Sequence, residues 1–144
     1  VRYYDDIFHF NYINNEEGTI TMIKVEKTAK TLDEGIKNMM IGAKKDYERF
    51  HTSNGRKEIV PGSYGDTELK NYESKTSVRP GKKYIKVVQD TGVFCFIVKE
   101  DFKHFKKGDI LKAAGYNAPA LNSARGNVLT GNYAIQWTGP LYLK

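Results

Sequence analysis

Between Val93 and Val98 the chain reads VFCFIV, six apolar residues without alternation. A run this short, β-branched and aromatic, predicts a strand covered on both faces and central in its sheet. Such a strand needs hydrogen-bonding neighbours at its sides and packing layers above and below. Lys83 to Gln89 supplies the first neighbour, and Asp90-Thr91-Gly92 between them reads as the short glycine-containing turn of a β-hairpin. On strict alternation Phe94 and Phe96 point one way, while Val93, Cys95 and Ile97 point the other. Cys95 then belongs to the core, as a structural thiol rather than a nucleophile.

Two further strands are expected at Ile7 to Ile13 and Thr19 to Val25, joined by a hairpin loop over Asn14 to Gly18. His9 sits among apolar neighbours there and reads as a packed histidine. The layer above the sheet is predicted to be a helix from Leu32 to Phe50. Thr31 and Glu34 form a capping box, and Leu32, Ile36, Met39, Met40, Ala43, Tyr47 and Phe50 recur at three- and four-residue steps. From Thr52 to Gly81 turn signals crowd together, at Ser53-Asn54-Gly55, Pro61-Gly62, Tyr64-Gly65-Asp66 and Arg79-Pro80-Gly81. That stretch reads as a flexible loop with a helical turn or two over Thr67 to Ser74. A lid over an anionic ligand and an arm to a neighbouring subunit are the alternatives. Tyr133 to Trp137 alternates as a strand with Tyr133, Ile135 and Trp137 on one face. Gly139-Pro140 turns it, and Leu141 to Leu143 reads as a last edge segment.

The 144 residues make one domain, 1–144, large enough for a core without disulfides or metal. The fold class is α+β, with antiparallel hairpins forming a sheet packed by one long amphipathic helix. A short C-terminal helical segment completes it. A formal charge of +6 points to phosphate-bearing or otherwise acidic partners. The single cysteine forbids an internal disulfide and fits a reducing compartment. No apolar run approaches the length of a membrane span, and the opening VRYYDD lacks the order of a signal peptide, so a cytoplasmic location is expected. GxSxG, HExxH, P-loop, GxGxxG and CxxC patterns are absent; His9, His51 and His104 keep no metal-ligand spacing. These patterns disfavour an enzyme and imply neither cofactor nor metal.

The candidate binding residues gather in Phe105 to Asn127, FKKGDILKAAGYNAPALNSARGN. Asp109 is expected to cap the short helix Ile110 to Ala114, which stops at Gly115, and its free N–H groups would face an anion. Arg125, between Ala124 and Gly126, has an unobstructed guanidinium suited to phosphate, with the Asn127 amide nearby. Trp137 reads first as core. In a minority reading it, Tyr116 or Phe96 stacks on a base.

The pattern KKGDILKAAGYNAPALNSARGN, after the KYIKVV and VFCFIV strands, resembles a widespread group of small phage proteins. The group has a strand, a Gly-Asp or Gly-Asn turn, a K-x-A helix, an A-P-A bend and an R-G-N end. The chain is accordingly identified as similar to the Thoeris anti-defence family, over about its last 60 residues. The resemblance implies sequestration of a small-molecule cyclic nucleotide, without cleavage. The signal would be a cyclic ADP-ribose isomer or a cyclic oligonucleotide, bound by homo-oligomers with pockets between subunits. It implies that Arg125 holds phosphate, that Phe94 or Phe96 stacks on adenine, and that Asp109 touches the ligand; Asn127, Tyr116 and Lys112 complete the expected set. Tyr116 stands where many relatives carry Trp, and the connection 52–81 has no counterpart. The competing expectation is a nucleic-acid-binding phage protein or an inhibitor of a host enzyme, using the same lysines as a backbone-tracking patch.

Overall fold

The computed structural model describes residues 10–14 and 20–142. The elements in order are β1 (Phe10–Asn14), β2 (Ile20–Val25), α1 (Leu32–His51), α2 (Tyr64–Lys70), β3 (Thr76–Pro80), β4 (Tyr84–Gln89) and β5 (Gly92–Val98). Then follow β6 (Ile110–Leu111), β7 (Ala113–Gly115), β8 (Ala118–Pro119) and β9 (Tyr133–Ile135). The expected α+β class stands. His9, the start of the first expected strand at Ile7, and the hairpin-loop residues 15–18 lie outside the described residues.

Two antiparallel sheets carry the fold. One has the order β1-β2-β9, and the other β3-β4-β5-β6; β7 and β8 form a separate ribbon. β5 is central, as its two apolar faces require. Helix α1 lies on β2 and β9. Its first turn is closed by Thr31, whose Oγ1 accepts from the Glu34 N–H at 3.1 Å. Ile36, Met39, Met40 and Ala43 of α1 meet Ile23, Val25, Tyr133 and Ile135 from one sheet and Val87, Cys95 and Ile97 from the other in one core. Each such aliphatic side chain withdrawn from water contributes about 1.5–3 kcal/mol. Helix α1 therefore holds the two sheets together.

A second cluster, Phe96, Val98, Phe105 and Leu111, lies apart from that core. Its membership corrects the expected alternation. The β4–β5 register runs from Tyr84↔Val98 to Val87↔Cys95, then shifts so that Val88 pairs with Val93. Phe94 is the extra residue of a β-bulge, which flips the side-chain order. Phe94 packs with Cys95 and Ile97 in the main core, while Phe96 packs with Val98 in the second. The two phenylalanines do not share a face. The adjoining turn takes its positive φ at Asp90 (57°) rather than at Gly92.

The expected helix over Ile110 to Ala114 is instead strand. Leu111 pairs with Phe96 and Ile110 with Ile97. On its other side, Ile110 exchanges backbone hydrogen bonds with Arg125 and Gly126 at 2.8 and 2.9 Å. Five residues cannot repay helix nucleation when a sheet edge offers immediate hydrogen bonds and burial. The short helix lies earlier, at Tyr64–Lys70, with Ser63 as its N-cap. The stretch 52–81, read as a flexible loop, thus holds α2, a 3₁₀ turn at Glu73–Lys75 and edge strand β3. Among the described residues no helix is long and apolar enough to cross a membrane.

Candidate ligand-binding site

The structure divides the expected binding residues into separate groups. Asp109 and Asn127 lock a turn. Asp109 Oδ2 accepts from the Lys106 N–H, and its Oδ1 accepts from Asn127 Nδ2, both at 2.9 Å. Asn127 Nδ2 also donates to the Lys107 carbonyl, while Oδ1 accepts from the Leu129 and Thr130 N–H groups. Asp109 therefore caps a turn, not a helix, and the amide of Asn127 is already fully used.

Lys112 and Arg125 come together beneath the C-terminal segment. Lys112 Nζ donates to the Pro140 carbonyl at 2.9 Å and stands 3.9 Å from the centroid of the Tyr142 ring. Arg125 Nε donates to the Leu141 carbonyl at 3.1 Å, and Nη1 to Asn122 Oδ1 and the Ser123 carbonyl. Neither cation has an acidic partner within ion-pair distance among the described residues. Burial, and secondly the Arg125 guanidinium, lower the Lys112 ammonium below the ordinary lysine range. Two partly desolvated like charges make a locus that an anion would neutralise.

Tyr116 is half exposed at the tip of the β7–β8 ribbon, with Lys86 Nζ 4.0 Å from its ring centroid. Phe96 is buried under Tyr84, so its ring is packed rather than presented. Phe94 reaches a cleft.

That cleft, about 220 Å³, is lined by Tyr47, Tyr72, Phe94 and Trp137 together with Glu68, Lys75, Gln89 and Thr138. The chain folds it from distant pieces. The last turn of α1 carries Tyr47 and Phe50, and the turn after β9 carries Trp137. The Trp137 ring lies 4.9 Å from Tyr47 and 5.1 Å from Phe50 between centroids. Trp137 therefore leaves the face it was expected to share with Tyr133 and Ile135 inside the core. The cause is the reversal at Gly139, whose φ of 123° and 2.9 Å approach of a notional Cβ to the Phe94 carbonyl admit only glycine without strain. At the rim, Glu68 gathers three donors: Lys75 Nζ at 2.6 Å, Tyr47 Oη at 3.1 Å and Tyr64 Oη at 3.3 Å. Tyr72, only 3% exposed, has a hydroxyl without a hydrogen-bond partner. Burial is the main cause that pushes the Tyr47 and Tyr72 phenols above the ordinary tyrosine range, so both stay neutral donors.

Trp137 and Tyr47 thus pack on one another as one aromatic wall of the cleft, against which a flat ring can lie, with hydrogen-bonding groups at the rim. Cys95 is sealed in the core with its thiol pushed up by burial, and the described residues hold no cluster of three metal-ligating groups. Sequence reading missed Tyr47, Glu68, Tyr72, Lys75 and Gln89. The available signal was Tyr47, Phe50 and His51 at helical spacing, an aromatic excess at the very end of α1. Searches against protein-family models, curated proteins and solved structures find no match to this chain.

Proposed function

We propose that the chain binds and sequesters a small cyclic nucleotide without cleaving it. A cyclic ADP-ribose isomer is the first candidate and a cyclic oligonucleotide the second. The observation that carries the reading is the aromatic cleft joined to a cation pair by one short segment. Trp137 lies at the cleft, Pro140 accepts from Lys112 and Leu141 accepts from Arg125. Four residue steps separate Trp137 from Leu141, so their main-chain positions lie within roughly 14 Å. One ligand carrying a base and phosphates matches that reach. The base enters the cleft against Tyr47, Phe94 and Trp137, and the phosphates meet Lys112 and Arg125. A cleft of about 220 Å³ holds a base but not a whole cyclic dinucleotide. The remainder of the ligand extends past the rim, which fits a pocket completed by a second copy in a homo-oligomer.

Trp137 is the sole tryptophan, so its emission reports on the cleft directly. Titration with cyclic ADP-ribose isomers and cyclic oligonucleotides is expected to change that emission saturably. Native mass spectrometry should show the bound mass and the subunit count, and heat release should return an unaltered compound. Recovery of an altered compound would make the protein an enzyme. Silence toward every ligand would remove the proposal.

A further inference from the structure

The outer face of the β3-β4-β5-β6 sheet carries a feature that the aromatic cleft does not explain. Arg79 on β3 and Lys86 on β4 are direct cross-strand partners, and Lys86 is in turn opposite Phe96 on β5. Like charges placed opposite one another destabilise a sheet, because their side chains share one face about 5 Å apart. No carboxylate offsets this pair: neither residue has an ion-pair partner among the described residues. Instead both reach the same aromatic residue. Arg79 Nη1 donates to Tyr116 Oη at 3.2 Å, and Lys86 Nζ lies over the Tyr116 ring and donates to Asn117 Oδ1 at 3.1 Å.

The pattern repeats along the same face. Tyr84, two residues before Lys86, packs edge-on against Phe102, and Lys83 Nζ lies 5.2 Å from the Phe102 ring centroid. Same-face positions two apart on a strand are separated by roughly 7 Å. Cations and aromatic rings therefore alternate across the face, from Arg79, Lys86 and Tyr116 to Lys83, Tyr84 and Phe102. Lys82 and Lys83 are exposed in the β3–β4 turn.

We propose that this face binds single-stranded nucleic acid. Arg79, Lys82, Lys83 and Lys86 would contact the phosphates, and Tyr116 would offer the ring on which a base stacks. The aromatic interleaving decides against duplex as the preferred form, since paired bases have no free face to stack. The surface uses neither Trp137 nor Arg125 and stands independently of the cleft.

The test is fluorescence anisotropy of a labelled oligothymidylate of about ten nucleotides, at salt from about 50 to 200 mM. The wild type is compared with Lys86→Glu and Tyr116→Ala, both checked for folding by circular dichroism. The expected result is binding that weakens steeply with salt, falls roughly tenfold in Tyr116→Ala by loss of one stacked base, and falls further in Lys86→Glu. Trp137→Phe should bind the oligonucleotide like the wild type. The proposal is overturned by absence of binding at low salt or by variants that bind normally. Equal affinity for a blunt duplex would overturn it too, as would displacement by polyglutamate at matched charge, which would mark an acidic-protein surface instead.

Discussion

Asp46 Oδ2 accepts the backbone N–H of Trp137 at 2.8 Å, across 91 residues of chain. The same carboxylate accepts from Arg49 Nε and Nη2 at 2.8 and 2.7 Å, and the residue is 1% exposed. A buried charge is tolerated because its lone pairs are filled, and filling them fixes the turn that presents the indole. The aromatic cleft therefore depends on a residue that does not line it.

Asp46→Ala should accordingly remove the two bonds that Asp46 accepts from Arg49, leave that guanidinium its bond to Asn54 Oδ1 at 2.6 Å, and release the turn. The expected loss is about 3 kcal/mol in urea denaturation, with Trp137 emission shifted to the red in the folded baseline. Asp46→Asn, which keeps an acceptor for the Trp137 N–H, should lose less. Wild-type stability in Asp46→Ala would show that the carboxylate is not the pin.

Gly35 looks like a flaw in α1, since alanine in a helix interior is favoured by about 1 kcal/mol. A Cβ there would lie 2.6 Å from the Val128 carbonyl oxygen and 2.8 Å from Val128 Cβ. That oxygen is main chain and cannot swing aside. Overpacking of about 1–3 kcal/mol outweighs the propensity gain. Gly35→Ala should therefore lower the melting temperature, while Gly35→Ser should do no better.

Asn127 and Phe96 were expected to touch ligand, and their surroundings predict a different phenotype. Asn127→Ala removes four hydrogen bonds and should cost about 2 kcal/mol or more. Phe96→Ala empties a buried ring site and should cost about 3–5 kcal/mol. In both variants the molecules that remain folded should show undiminished Trp137 response to ligand. Arg125→Ala should behave in the opposite way, losing ligand response more than stability. A stability-neutral Asn127→Ala with abolished binding would return that residue to the site.

What the sequence disclosed followed physical range. Helix α1 and the β4–β5 hairpin were legible because capping, 3.6-residue periodicity and tight turns act over a few neighbouring residues. The bulge at Phe94 was not, because one inserted residue leaves no compositional mark yet reverses the face of what precedes it. Ile110 and Leu111 were misread as helix because their fate was set by the open edge of β5, a partner absent from any local window. The cleft was least visible. Tyr47, Lys75, Phe94 and Trp137 converge only after α1 has docked and the chain has reversed at Gly139.

The ion pair at the cleft rim gives the protein a pH signature with a definite sign. Chiefly the hydrogen bond from Lys75 holds the Glu68 carboxyl below the ordinary glutamate range, and the same bond holds Lys75 above the ordinary lysine range. A carboxyl lowered on folding contributes stability that is fully present above its unfolded value, about 4.3. That contribution is lost as pH falls through the folded value. An ammonium raised on folding contributes below about 10.4, and that part is lost as pH rises through its folded value. Glu73, bonded to Lys44, and Asp66, bonded to the Gly62 N–H, are likewise lowered and add to the acid limb. The contribution of these groups to melting temperature should hence be level between about pH 5 and 10 and fall on either side. Glu68→Gln should lower that plateau and flatten both limbs, because Tyr47 retains an acceptor while Lys75 loses its charge partner. An unchanged acid limb in Glu68→Gln would mean that the rim pair does not couple α2 to the sheet, and that the cleft opens without it.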